Sequence, residues 1–107
     1  MTVKTKKFNT LLLSSIDESL ASLGESAKQS IYFHIENKFN ISRKEIPEKL
    51  EEFQTGLEKI FGVGARSIEI LIMKNLYAKI GALLKMKKDG QLEFIEYVTA
   101  AKRSYQK

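Results

Sequence analysis

The chain has 107 residues, enough for one domain with its own hydrophobic core, and its 43% hydrophobic and 29% charged residues exclude intrinsic disorder and a fibrous repeat. There is no cysteine, which removes disulfides, thiolate metal sites and cysteine nucleophiles together and fits a reducing compartment. The formal net charge of +5 is concentrated in the last third, where Lys74, Lys79, Lys85, Lys87, Lys88, Lys102, Arg103 and Lys107 stand against only Asp89, Glu93 and Glu96. An excess of this kind attracts nucleic acid, anionic membrane or acidic protein, and it serves solubility equally well.

Residues 1–7 read as a basic N-terminal tail and residues 8–107 as a single helical domain. Helical spacing begins with Leu12, Leu13, Ile16, Leu20 and Leu23 on one face of a first helix over residues 8–23, with Gly24 placed to cap it in the left-handed conformation. Ala27, Ile31, Ile35 and Phe39 recur every four residues and predict a second helix over residues 26–38. Ser42 and Glu45 have capping-box spacing, and Pro47 suits a first turn, so a short turn precedes a third helix from Pro47 to Gly62. Its inward residues are Leu50, Phe53, Leu57, Ile60 and Phe61.

A fourth helix, residues 64–80 with an extension toward Leu84, is apolar around much of its circumference, as a central helix is. The Asp89-Gly90 turn separates it from a fifth over residues 91–105. The expected fold is all-α, a compact bundle of about five short helices around a buried fourth. The longest purely apolar run, residues 70–73, is far short of the roughly 20 residues that span a bilayer. The Leu11-Leu12-Leu13 stretch after the basic start is broken by Ser14, Ser15 and Asp17, so neither export nor membrane insertion is expected and the location is cytoplasmic.

Candidate chemistry is sparse. His34 precedes Glu36 by two positions, but a zinc site of the deaminase kind needs thiolates that this chain lacks. Glu48, Glu51, Glu52 and Glu58 alternate with Lys49 and Lys59 as a solvated helix face does, without the contrasting environments that split catalytic carboxylates. On the last helix Lys102, Arg103 and Lys107 are offset by Glu93 and Glu96, which weakens a membrane-surface reading. No catalytic residues, metal or cofactor are expected, and the chain reads as a non-enzyme.

The sharpest local pattern is Phe61-Gly62-Val63-Gly64-Ala65-Arg66. It resembles the glycine-hydrophobe-glycine hairpin of helix-hairpin-helix proteins, which implies backbone amides facing a nucleic-acid phosphate with Arg66 as a further contact. Phe61 stands where that hairpin commonly has proline, and Ile68 where it has a small alanine. The alternative is purely structural: Gly62 closes one helix and Gly64 permits the sharp turn into the next.

Leu23-Gly24-Glu25-Ser26, Ile31-Tyr32-Phe33-His34-Ile35-Glu36, Glu45-Ile46-Pro47, Ile60 to Ala65, Ile70-Leu71-Ile72-Met73-Lys74, and Glu96-Tyr97-Val98 with Ala101-Lys102 resemble, over residues 12–105, a small archaeal family known as the fifth Nitrosopumilus output domain. That resemblance implies an archaeal, cytoplasmic helical module, alone or attached to signalling domains, and brings no active-site residues. The combined expectation is an interaction or signalling-output module acting through protein contacts, homo-oligomeric, with Gly62, Val63, Gly64, Arg66, Lys85, Lys87 and Lys88 as contact residues. The alternative is sequence-nonspecific nucleic-acid binding through the same Gly-Val-Gly turn.

Overall fold

The structure, a computed structural model, describes residues 2–84 and 94–106. Among the described residues there are five α-helices and no strand: α1 (Val3–Ala21), α2 (Glu25–Phe39), α3 (Leu50–Phe61), α4 (Ala65–Ile80) and α5 (Phe94–Gln106). Two 3-10 turns, Arg43–Glu48 and Gly62–Gly64, link α2 to α3 and α3 to α4.

The first helix starts earlier than its apolar spacing predicts. Thr2 is extended, at φ −79° and ψ 162°, and its hydroxyl accepts the Thr5 backbone N–H at 3.1 Å, which satisfies one orphan donor of the first turn. The basic residues Lys4, Lys6 and Lys7 are therefore helical. This end is tied to α5, since Lys4 Nζ donates to the Gln106 carbonyl at 3.2 Å and Gln106 Nε2 to Thr5 Oγ1 at 2.8 Å. Phe8, Leu12, Ile16 and Leu20 form the inward stripe and are all buried. Leu13, beside the stripe, is half-buried against the core, and Leu23 is exposed because α1 stops at Ala21 and Gly24, at φ 111°, opens α2 instead of closing α1.

The axis of the bundle is the seam between α1 and α4. Ser15 and Ser19 line it, both fully buried, and each donates its hydroxyl to a carbonyl one turn earlier, Leu11 at 2.8 Å and Ser15 at 2.7 Å. Small side chains with no orphan group let the two helices approach. Asn75 Nδ2 then donates to Ser19 Oγ at 2.9 Å, and Lys79 pairs with Glu18 at 2.7 Å. The central α4 also packs on α3 and α5; Ile68, Ile72, Met73 and Leu76 are buried, and the Tyr77 hydroxyl donates to the Tyr97 carbonyl at 2.8 Å. It ends at Ile80, with Gly81 in the left-handed conformation, so no extension to Leu84 forms. The third helix lies on the second through Gly56, where an added β-carbon would sit 2.6 Å from Ile35 Cδ1.

Between α2 and α3 the chain departs from the expected helix beginning at Pro47. Glu45 accepts the Ser42 N–H at 3.0 Å and the Ser42 hydroxyl at 2.9 Å, so the capping box forms as its spacing predicts. Pro47 has no N–H to donate four residues back. The segment accordingly stays 3-10 through Glu48, Lys49 breaks it at φ −125° and ψ 45°, and α3 begins at Leu50. The connection is more than a spacer, because it places Ile41 and Ile46 fully in the core.

A clamp fastens this segment to α1 and α2. Arg43 grips Asp17 with Nε on Oδ1 at 3.0 Å and a terminal nitrogen on Oδ2 at 2.5 Å, while the Tyr32 hydroxyl donates to Oδ1 at 2.5 Å. Burial pushes the Asp17 carboxyl upward, but the hydrogen bonds from Arg43 and Tyr32 outweigh it and hold the group below its ordinary value of 3.8. Burial and the adjacent carboxylate both push the Tyr32 phenol up. A group depressed in the folded state contributes stability above its unfolded pKa and loses it as pH falls through the folded one. Asp17→Asn is therefore expected to cost about 1–2 kcal/mol at neutral pH, the half-exposed guanidinium limiting the figure. In urea titrations the gap between the two proteins should close only as pH falls below 3.8; a gap unchanged at lower pH would assign the cost to shape and not charge.

Candidate functional site

The corner between α3 and α4 carries Gly62, Val63, Gly64 and Arg66, four of the residues singled out by sequence. The third helix closes at Gly62, whose N–H donates to the Glu58 carbonyl and whose backbone sits at φ 58° and ψ −131°. That combination is open to glycine and strained for any L side chain. Gly64 is different. Its φ of −69° and ψ of −15° are ordinary right-handed helical values, and an added β-carbon would make only a 3.8 Å contact with Phe61 Cβ. The tight turn therefore needs the first glycine of the pair and not the second, a correction to both readings of the Gly-Val-Gly motif.

Between the glycines Val63 is 100% exposed. Arg66 lies in the first turn of α4 and is exposed; Ala65 donates its N–H back to the Gly62 carbonyl, and no side chain caps this helix start. Lys85, Lys87 and Lys88 lie outside the described residues.

Beside the corner is a concavity of about 270 Å³ lined by Gln54 and Glu58 from α3, the Gly62-Val63 turn, and Ala65, Arg66 and Glu69 from α4. Glu58, Val63 and Arg66 are exposed and form its rim, whereas Ala65 and Glu69 are buried and form its base. Glu69 is only 4% exposed. Its Oε1 accepts a long hydrogen bond, 3.4 Å, from Gln54 Nε2, and its Oε2 has no hydrogen-bond partner. Burial pushes this carboxyl above the ordinary glutamate value; the Gln54 hydrogen bond and the Arg66 charge pull it down and the Glu58 charge pushes it up, with burial the largest influence.

Sequence reasoning missed Glu69 because it sits in an apolar run and breaks no periodicity rule by itself. The signal was its register: it follows Ala65 by four residues and precedes Met73 by four, so the helix carries a carboxylate on the face it buries. The other carboxylates behave as a solvated face, with Glu48, Glu51 and Glu52 exposed and Glu45 paired to Lys49 at 3.3 Å. His34 is half-buried and meets Phe33 edge-on with ring centroids 5.8 Å apart. Among the described residues no three His, Cys, Asp or Glu side chains come together as a metal site, and no helix is long and apolar enough to cross a membrane.

Set against known proteins, the chain matches no family model, no curated protein and no solved structure.

Proposed function

We propose that the chain is a non-enzymatic interaction module of the signalling-output kind, acting in the cytoplasm by protein contacts made at the α3–α4 corner. The observation that carries this reading is the pairing of a fully exposed Val63 with a side-chain-sized pocket whose base is a buried carboxylate. A recess that mixes polar and apolar lining, with a single buried carboxylate and not a pair at its base, suits binding better than catalysis. A second copy of the chain is the simplest protein partner.

The nucleic-acid alternative rests on the uncapped start of α4 and on Arg66. Glu58 and Glu69 share the recess with Arg66, and two carboxylates beside one guanidinium weaken attraction for phosphate. Fluorescence anisotropy with short DNA and RNA at low salt is expected to give no binding. Micromolar binding that is lost both with salt and with Arg66→Glu would replace the protein-contact reading by the nucleic-acid one. A photo-crosslinker at Val63, followed by mass spectrometry, is expected to yield a defined product with a second copy or another protein; products no different from those at the exposed Ser30 position would count against the corner.

A further inference from the structure

We propose that the pocket at the α3–α4 corner receives a protonated primary amine, the ammonium of a lysine side chain of the protein partner, with Glu69 as its counter-charge. The assignment rests on the protein-contact reading for its source and on the pocket for its chemistry. The first reason is the state of Glu69. Its Oε2 is buried and unpartnered, and protonation does not repair that, because it exchanges an unfilled acceptor for an unfilled donor. A cation in the recess balances the ionised carboxylate and supplies the missing donor once the Glu69 side chain turns Oε2 outward, since that oxygen is closed to solvent.

The second reason is the donor–acceptor count. Gln54 spends one of its two amide N–H groups on Glu69 and brings an amide oxygen as an acceptor to the recess that the Glu69 and Glu58 carboxylates share. An ammonium has three donors and no acceptor, so three acceptors suit it. Among the described residues no three His, Cys, Asp or Glu side chains come together, so the recess is short of the carboxylates that a dedicated site for a hard divalent ion gathers. Size and surroundings point the same way. About 270 Å³ lies just below the roughly 300–1,000 Å³ of sites for drug-sized ligands. Val63 on the rim offers an apolar ledge, and a lysine stem lies readily against apolar surface while its head is held elsewhere. Arg66, also on the rim and in no ion pair with Glu69, is the internal competitor for the same charge.

The test is NMR titration of the full chain with n-butylammonium, N-butylguanidinium and acetyl-Ala-Lys-Ala-amide at neutral pH, with sodium chloride matched. Saturable shifts confined to residues around Gln54, Glu58, Glu69 and Val63, with butylammonium preferred to butylguanidinium, are expected. Glu69→Gln removes a buried charge without removing volume and so keeps the fold, and it should weaken the amine about tenfold or more. Arg66→Gln should tighten it. The tripeptide binding more tightly than butylammonium assigns the ammonium to a side chain; equal or weaker binding overturns that source and leaves a free amine. Absence of saturable shifts, shifts undiminished in Glu69→Gln, or weaker binding in Arg66→Gln overturns the cation site. Ammonium binding without a Val63 crosslink would sustain the pocket and refute the protein-contact reading, and a Val63 crosslink unaffected by Glu69→Gln would do the reverse.

Discussion

Phe53→Ala is expected to lose about 3–5 kcal/mol of folding stability, the range for emptying a buried aromatic site. Phe53 is fully buried on α3, one turn before Gly56, where the backbone of α3 already lies against Ile35. That contact leaves little scope for α3 to move inward and fill the space, which places the cost toward the upper end of the range. A domain of this size has roughly 5–15 kcal/mol in total, so the variant should melt more than about 10 °C lower. Urea unfolding followed by circular dichroism measures it, and a loss under about 1 kcal/mol would mean that the helices collapse around the site and that the core is far more plastic than its packing indicates.

The second prediction separates the two glycines of the corner. Gly62→Ala should cost about 1–3 kcal/mol, because a β-carbon is forced into a conformation reserved for glycine, although nothing lies within 4 Å of the position it would occupy. Gly64→Ala, at ordinary helical angles, should be neutral or stabilise by about 0.4–1 kcal/mol through the unfolded chain. Thermal melts of the two variants side by side check the sign. Equal losses would show that the helix-hairpin-helix pattern, with both glycines required, describes this turn after all.

The helices were legible because their apolar residues recur at helical spacing and the capping signals are local: Leu12, Ile16 and Leu20, then Ile31 and Ile35, then Phe53 and Leu57 all proved inward. What was not legible followed from tertiary context. Ile41 and Ile46 are as deeply buried as any helical residue, yet they lie in a connection whose 3-10 course has no periodicity to read. The basic composition of Lys4, Lys6 and Lys7 suggested a tail, and the threonine cap at Thr2 outweighed their unfavourable position at a helix N-terminus. At the candidate site the glycines located the corner, but the carboxylate beneath it became visible only once α3 was seen to supply Gln54 and Glu58 next to Glu69. Such a recess is a property of two helices together, and neither helix announces it alone.

The α1–α4 seam also dictates an order of assembly. Its polar contacts join residues 56 and 61 positions apart, whereas the α2–α3 contact and the Ser42–Glu45 turn close over short stretches of chain. Loops of that length are entropically slow to close, and domains dominated by such pairings fold more slowly than bundles of sequential neighbours. Until α4 is made, the inward stripe of α1, Phe8, Leu12, Ile16 and Leu20, has only α2 and the Arg43–Glu48 turn to pack against, and this partial cover leaves it open to aggregation and to chaperones during synthesis.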